Sequence, residues 1–242
     1  IDIYSKKVDD NLCLFYMDPK AYKLNVNTNK LFLFTDNRKY YYINVIDAAL
    51  GVDLNSYYQT KIEKLDNIDY TDAIPVYINK HSKNNTVIYL SLECPYCSYL
   101  YQTMYTLFNQ IIKDKGEANT NFYLYITSDD KNKLKLFKKV ADKDSTTFLK
   151  FLFKYYKDNV LSAGVADLKV KYKDILKKVN PDDLNSVNID TMLSGFNTLT
   201  SEGVPVTVIN GRLIEGANIP LLNVILKEEK IGDLSTIVGQ KQ

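Results

Sequence analysis

The chain has 242 residues, 45% of them hydrophobic, and a formal net charge of +2 at pH 7. This length allows one large domain or two modest ones, with enough apolar residues for a packed core. So small a net charge gives no reason to expect binding to nucleic acid or to a membrane surface. The sequence also has no apolar run that approaches the roughly 18 residues of a membrane-spanning helix.

The first segment of the chain is predicted to be rich in β-structure. Two aromatic and apolar runs, Leu31–Phe34 and Tyr40–Val45, flank the polar stretch 35–39. This pattern predicts a β-hairpin. We therefore assign residues 1–52 to an N-terminal β-rich domain.

A helix is predicted to follow this domain and to link it to the rest of the chain. Asp53 or Asn55 can cap its first turn, and apolar residues recur at helical spacing as far as Leu65. We assign residues 53–79 to this helical linker.

The next segment opens with a strand, a cysteine motif and a helix. The apolar run Thr86–Leu92 predicts a buried strand, and Cys94 follows almost at once. From Pro95 the apolar residues recur at helical spacing, and proline suits a first helical turn because its missing N–H is not needed there. A second strand is predicted at Asn121–Ile126.

A long helical stretch is predicted at residues 129–199. Apolar residues recur there at helical spacing, and ordinary core packing accounts for them. Pro181 predicts a break, after which Asp182 and Asp183 begin another helix. The lysines of residues 131–139 are interpreted as one solvated helix face.

The end of the chain is predicted to form a hairpin and a helix. Strands at Val206–Ile209 and Arg212–Glu215 flank Asn210-Gly211, which is a strong hairpin signal. A final helix is predicted at residues 218–227. Strands and helices in this order indicate an α+β or α/β fold for a second domain, residues 80–242.

Cys94 and Cys97 form a C-x-x-C pair at the start of the predicted helix. Disulfide exchange needs one thiolate to attack and a second thiol within reach to resolve the mixed disulfide. Unpaired N–H groups and the helix dipole favour the anionic form of Cys94, whereas Cys97 lies one turn further in. The pattern predicts Cys94 as the nucleophile and Cys97 as the resolving thiol.

Two other interpretations of the pair remain open. A structural zinc site usually has four cysteine or histidine ligands, and only Cys13 and His81 remain, each distant in sequence. We therefore expect no metal site. The pair can also consist of buried thiols without chemistry. Cys13 is expected to be a small buried apolar residue, with an intermolecular or regulatory role as the alternative.

A proline near the end of the chain adds to the pattern. Pro205, in Gly203-Val204-Pro205, starts a strand, although proline cannot donate to a β-ladder. Together with the strand, the C-P-Y-C motif and the helix, it resembles the thioredoxin superfamily, in which this proline is cis and faces the cysteine pair. The resemblance is closest to bacterial disulfide isomerases of the DsbC and DsbG type, in which a hairpin-bearing domain and a linker helix precede a catalytic domain with a helical insertion.

The resemblance implies a disulfide isomerase or reductase that acts on misfolded envelope proteins in the periplasm. It implies a homodimer joined through the N-terminal β-rich domains, protein substrates with exposed thiols or disulfides, and a membrane redox partner. The redox group is the Cys94–Cys97 disulfide itself, and no other cofactor is expected. The implied site residues are the catalytic Cys94 and Cys97 and, for shaping the site and binding substrate, Pro95, Tyr96, Val204 and Pro205.

Two residues depart from the isomerase pattern. Val204 stands where these isomerases typically have threonine and where the oxidase DsbA has valine, so a dithiol oxidase that introduces disulfides is one alternative. Ile88 replaces the acid that precedes the first cysteine by six residues in thioredoxin, so proton transfer from Cys97 must use water or another group. A chaperone or binding module with secondary thiol chemistry is a further alternative. Glutaredoxins also carry C-P-Y-C, but they are single small domains.

Overall fold

The structure is a computed structural model in which the chain divides into two compact units, residues 1–64 and residues 65–242. It describes residues 3–9, 12–17, 31–35, 41–42, 46–47, 52–62, 64–65, 68–113, 119–177, 179–181, 183–198 and 203–234. Among these residues, no helix has both the length and the apolar character needed to cross a membrane.

The first unit contains a four-stranded antiparallel sheet. Its strands, adjacent in chain order, are β1 (Ile3–Asp9), β2 (Leu12–Met17), β3 (Leu31–Thr35) and β4 (Tyr41–Tyr42). Leu33 lies opposite Tyr42 in the β3–β4 pair, which confirms the predicted pairing of the two aromatic runs. The assignment of this unit as a dimerisation domain stays a prediction.

A helix follows the sheet of the first unit. Strands β5 (Ile46–Asp47) and β6 (Val52–Asp53) pair, and helix α1 (Leu54–Ile62) begins directly after them. The Oδ2 atom of Asp53 accepts hydrogen bonds from the N–H and the hydroxyl of Ser56, at 2.9 and 2.7 Å. Of the two predicted caps, Asp53 is therefore the one that caps the helix.

The second unit is built on a five-stranded mixed sheet. Its strands are β7 (Ile74–Tyr77), β8 (Asn85–Ser91), β9 (Asn121–Thr127), β10 (Val206–Ile209) and β11 (Arg212–Glu215). They lie in the order β11-β10-β8-β9-β7, where β8 and β9 run parallel and the other pairs antiparallel. The parallel pair requires a crossover, which the helix after the cysteine motif provides.

Strand β7 lies inside the stretch predicted as a helical linker. Ile74 pairs with Leu124 of β9, so this strand forms an edge of the sheet in the second unit. The helix at the start of the same stretch ends at Ile62. A four-residue edge strand that contains Pro75 has too short an alternation to be recognised from sequence.

The helices of the second unit follow the predicted order. They are α2 (Pro95–Lys113), α3 (Lys131–Lys143), α4 (Ser145–Lys157), α5 (Val165–Lys171), α6 (Lys173–Leu176), α7 (Asp190–Asn197) and α8 (Ile219–Glu228). Asp130, Asp144 and Asn218 cap α3, α4 and α8, because their side-chain oxygens accept N–H groups of the first turns.

The predicted helix start is wrong at Asp183, while Asp182 lies outside the described residues. The helix in this region, α7, begins at Asp190. Asp183 instead accepts a hydrogen bond from Ser186 Oγ at 3.0 Å within a local turn. Aspartate is favoured both at helix starts and in such turns, so the sequence does not separate the two.

Helices cover both faces of the sheet. Phe122 of β9 meets Phe108 of α2 edge to face, with ring centroids 5.2 Å apart. Tyr125 points to the opposite face, where it stacks on Tyr89 of β8, and Tyr89 meets Phe196 of α7 at 5.8 Å. Helices α2 and α7 therefore lie on opposite faces, and the cysteine motif lies at the end of the central strand β8.

The turn between β10 and β11 is the predicted two-residue hairpin turn. Asn210 and Gly211 both have positive φ, 50° and 82°, as a type I′ turn requires. A Cβ on Gly211 would lie 2.7 Å from the carbonyl oxygen of Leu65, which is a backbone atom. The turn therefore needs glycine for its backbone conformation and for the close approach of another segment.

We expect Gly211→Ala to lower the free energy of unfolding by roughly 2–4 kcal/mol, because backbone strain and steric overlap add. Gly216→Ala is the matched control, since its φ is 70° and a Cβ there meets no atom within 4 Å. Only the backbone cost of about 1–2 kcal/mol applies to the control. Urea denaturation measures both variants, and equal losses would contradict the steric contribution at Gly211.

Candidate active site

Cys94 lies at the junction between strand β8 and helix α2. The strand ends at Ser91 and the helix begins at Pro95. The carbonyl oxygen of Cys94 accepts the N–H of Ser98 at 3.0 Å, so Cys94 directly precedes the first helical turn. The predicted position of the pair at a helix start is confirmed.

The two thiols of the motif have different surroundings. Both are free, and Cys94 is partly exposed, with its Sγ accepting the N–H of Cys97 at 3.3 Å. Cys97 is fully buried, and its Sγ accepts the N–H of Ser91 at 3.3 Å. The accessible sulfur of Cys94 therefore lies at the positive end of helix α2, and the sulfur of Cys97 is buried in the interior.

Burial raises the pKa of the Cys97 thiol far above its usual value, and its hydrogen bond with Cys94 acts in the same direction. The N–H of Ser91 opposes the shift because it stabilises the thiolate of Cys97. Cys97 therefore keeps its proton, and Cys94 is the thiol of the pair that lies open to solvent. This difference suits two thiols that act in succession.

The loop before β10 lies against the thiol of Cys94. The Val204–Pro205 peptide bond is cis, as the resemblance predicted. The thiol of Cys94 donates a hydrogen bond to the carbonyl oxygen of Val204 at 3.6 Å. Pro205 is buried and Val204 is half-buried. The structure thus brings together Cys94, Cys97, Val204 and Pro205.

Pro95 and Tyr96, also predicted as site residues, lie on the open side of the motif. Pro95 is exposed, and the side chain of Tyr96 is among the most exposed large apolar groups described, at 71%. Tyr99, one turn further along α2, is exposed as well. Both rings are open to solvent at the start of α2, the helix that follows Cys94, and exposed aromatic side chains are suited to contact with a polypeptide.

An ion pair beside the motif was missed from the sequence. Lys133 belongs to the lysines interpreted as a solvated face, yet it is only 4% exposed. Its Nζ donates to Glu93 Oε1 and to the carbonyl oxygen of Leu161, both at 3.0 Å. The interpretation as a solvated face is therefore wrong at this lysine. The signal available in the sequence was Glu93, an acid placed directly before the first cysteine.

We expect iodoacetamide to modify Cys94 in the folded, reduced protein and to leave Cys97 unmodified until the protein is denatured. Cys97 is fully buried, and its raised pKa keeps it in the unreactive neutral form at neutral pH. Peptide mass spectrometry with and without urea measures both sites. Equal modification of the two cysteines under native conditions would contradict the assignment of their surroundings.

A protein-family model described as Thioredoxin matches residues 72–221, which is more than half of the chain. The chain belongs to the thioredoxin family. This membership accords with the mixed sheet and with the cysteine motif at the start of α2, and it confirms the expected thioredoxin-like α+β fold.

Solved structures that are similar to the chain have low sequence identity to it. DsbG from Mycobacterium tuberculosis, in its reduced form, matches at a TM-score of 0.51 and 15% identity, over 71% of this chain and 93% of its own. Oxidised BdbD from Bacillus subtilis matches at 0.50 and 14%, over 68% and 96%. The thiol-disulfide exchange protein α-DsbA2 from Wolbachia pipientis matches at 0.47 and 19%, over 72% and 92%. No curated protein sequence matches the chain.

The other two candidate metal ligands considered from the sequence do not join the motif. Cys13 lies in strand β2, opposite Lys7 and Phe34, and its side chain is outside the described residues. His81 is exposed in a turn before β8. Within the part of the chain that the structure describes, no three histidine, cysteine or acidic side chains are grouped as a metal site would need.

Proposed function

We propose that this chain is a thiol–disulfide oxidoreductase that exchanges disulfides with protein substrates through Cys94 and Cys97. The observation that carries the proposal is the pairing of one accessible and one buried thiol at a helix start. The thiolate of Cys94 attacks a substrate disulfide and forms a mixed disulfide, releasing one substrate thiolate. Cys97 then gives up its proton, which the departing substrate thiolate takes up directly or through water, and its sulfur attacks Cys94 Sγ; the substrate leaves as a dithiol and the Cys94–Cys97 disulfide forms. The reverse sequence oxidises a substrate dithiol.

The role we propose for this chemistry is isomerisation or reduction of wrong disulfides in misfolded envelope proteins. It rests on the resemblance of the whole layout to the DsbC and DsbG type, in which a β-rich domain precedes the catalytic one. We further propose a homodimer joined through residues 1–52, a periplasmic location and a membrane redox partner. An oxidising compartment is the environment in which protein disulfides form and need correction.

A dithiol oxidase is the second candidate, and Val204 is the observation that favours it. Val204 offers only its backbone carbonyl to the thiol of Cys94, at 3.6 Å. The isomerases that the chain resembles typically have threonine at this position, whereas the oxidase DsbA has valine.

Refolding of two forms of one disulfide-containing substrate distinguishes the candidates. An isomerase restores activity to the scrambled, fully oxidised form, whereas an oxidase acts on the reduced form. We expect faster recovery of the scrambled substrate, with the Cys94→Ala, Cys97→Ala double variant as the matched control. If the protein speeds the recovery of activity only for the reduced substrate, the chain is an oxidase and not an isomerase. Suppression of aggregation that survives in the double variant would identify the chaperone alternative.

A further inference from the structure

Glu93, directly before the reactive cysteine, holds three side-chain hydrogen-bond donors. Its Oε1 accepts Lys133 Nζ at 3.0 Å and Ser128 Oγ at 2.6 Å, and its Oε2 accepts Ser91 Oγ at 3.3 Å. The side chain of Lys133 is 5% exposed and that of Glu93 is 25% exposed. A shielded ion pair of this kind is screened far less by solvent than a surface pair.

The same residues bind the backbone that carries the cysteine motif. Ser91 donates its N–H to Cys97 Sγ at 3.3 Å while its hydroxyl contacts Glu93. The carbonyl oxygen of Leu161 accepts both Lys133 Nζ and the hydroxyl of Tyr155, each at 3.0 Å. The same hydroxyl lies 3.0 Å from the carbonyl oxygen of Leu92, so its one proton is shared between the two carbonyl groups. Helix α3 and the loop after α4 are thus tied to the segment that leads into Cys94.

We propose that Glu93 and Lys133 act on the Cys94–Cys97 pair with charges of opposite sign, so that the reduction potential depends on both charges being present together. The inference rests on the proposed function, because it concerns the same dithiol. The two charges act on the thiolate of Cys94 in the reduced state. A neighbouring carboxylate disfavours that anion, a neighbouring ammonium favours it, and the ion pair holds the two effects in balance. Removal of one charge leaves the other uncompensated next to Ser91, whose N–H binds Cys97 Sγ.

The two single replacements must therefore shift the potential in opposite directions. Glu93→Gln leaves the Lys133 cation, which stabilises the reduced form and makes the pair more oxidising. Lys133→Met leaves the Glu93 carboxylate, which destabilises the reduced form and makes the pair more reducing. We expect a roughly tenfold change of the glutathione equilibrium constant in each direction, or about 30 mV for this two-electron couple.

Equilibration with glutathione, followed by acid quenching and mass spectrometry, measures these constants in the full chain. Lys131→Met, an exposed lysine in the same helix, is the matched control and is expected to leave the constant unchanged. The Glu93→Gln, Lys133→Met double variant is expected to return close to the wild-type value. If Lys133→Met does not fold, Lys133→Gln removes the same charge with a side chain that retains a hydrogen-bond donor.

The sign of the shifts separates electrostatic positioning from a structural role. If the replacements only loosened the loop, both single variants would shift the reduction potential in the same direction. The double variant would then differ from the wild type by at least as much as either single variant. If both single variants shift the equilibrium constant in the same direction, or if neither shifts it, the role of the ion pair is wrong. The proposal of an oxidoreductase stands in that case, as long as the wild-type protein has a measurable constant. A wild-type protein that never forms the Cys94–Cys97 disulfide overturns the proposed function instead.

Discussion

Replacement of Cys97 by alanine is expected to trap mixed disulfides between Cys94 and substrate proteins. Cys94 is the accessible thiol, and Cys97 is the buried thiol whose sulfur lies behind it. Without Cys97 the attack proceeds, but the step that releases the substrate is lost. Replacement of Cys94 by alanine removes the attacking thiolate, and we expect the rate of exchange to fall at least about a thousandfold.

Non-reducing electrophoresis after acid quenching, with tryptic mass spectrometry of the conjugates, measures both variants. The double variant Cys94→Ala, Cys97→Ala is the control, and it should form no conjugates at this site. The Cys94→Ala variant should form few conjugates through Cys97. If it forms them as readily as the Cys97→Ala variant forms them through Cys94, the assigned order of the two thiols is wrong.

Phe137→Ala is expected to lower the free energy of unfolding by about 3–5 kcal/mol. Phe137 of α3 is fully buried, stacks on Phe151 of α4 at 4.5 Å and meets the edge of Tyr155 at 5.0 Å. Truncation removes a large apolar side chain and leaves a cavity between two helices that cannot close freely. Denaturation in urea, followed by circular dichroism, measures the loss.

Lys138→Ala, at the next position of the same helix, is the matched control for Phe137→Ala. It removes a surface ion pair with Asp142, which contributes about 0.3–0.5 kcal/mol in a helix. A loss for Phe137→Ala no larger than that of the control would contradict the core position of Phe137. Because Tyr155 also binds the carbonyl oxygen of Leu92, we expect the same cavity to loosen the segment that leads into Cys94.

The parts of the fold that the sequence predicted are those with strong local signals. The strand before Cys94, the helix from Pro95 and the turn at Asn210-Gly211 each depend on residues within a few positions. The cis bond before Pro205 was expected from the resemblance and not from the local pattern. The isomerase direction, the dimer and the periplasmic location stay predictions.

The parts that the sequence did not predict depend on contacts between distant segments. Lys133 can be buried because its ammonium group donates hydrogen bonds to Glu93 and to the carbonyl oxygen of Leu161. The periodic pattern of a helix does not predict partners that lie so far away in the sequence. Strand β7 is stabilised by β9, whose residues lie far along the chain. Tyr156 donates its hydroxyl to the carbonyl oxygen of Ser91 at 2.9 Å, although its place in α4 indicated only ordinary core.

Peptide mapping of the protein after equilibration in glutathione buffers of graded redox ratio shows whether Cys94 and Cys97 are a redox-active pair. We expect a single intramolecular disulfide between Cys94 and Cys97, whose fraction rises with oxidised glutathione and is the same whether equilibration starts from the reduced or the oxidised protein. Two free thiols at every ratio, or a disulfide that joins Cys13 to either member of the pair, would contradict this expectation.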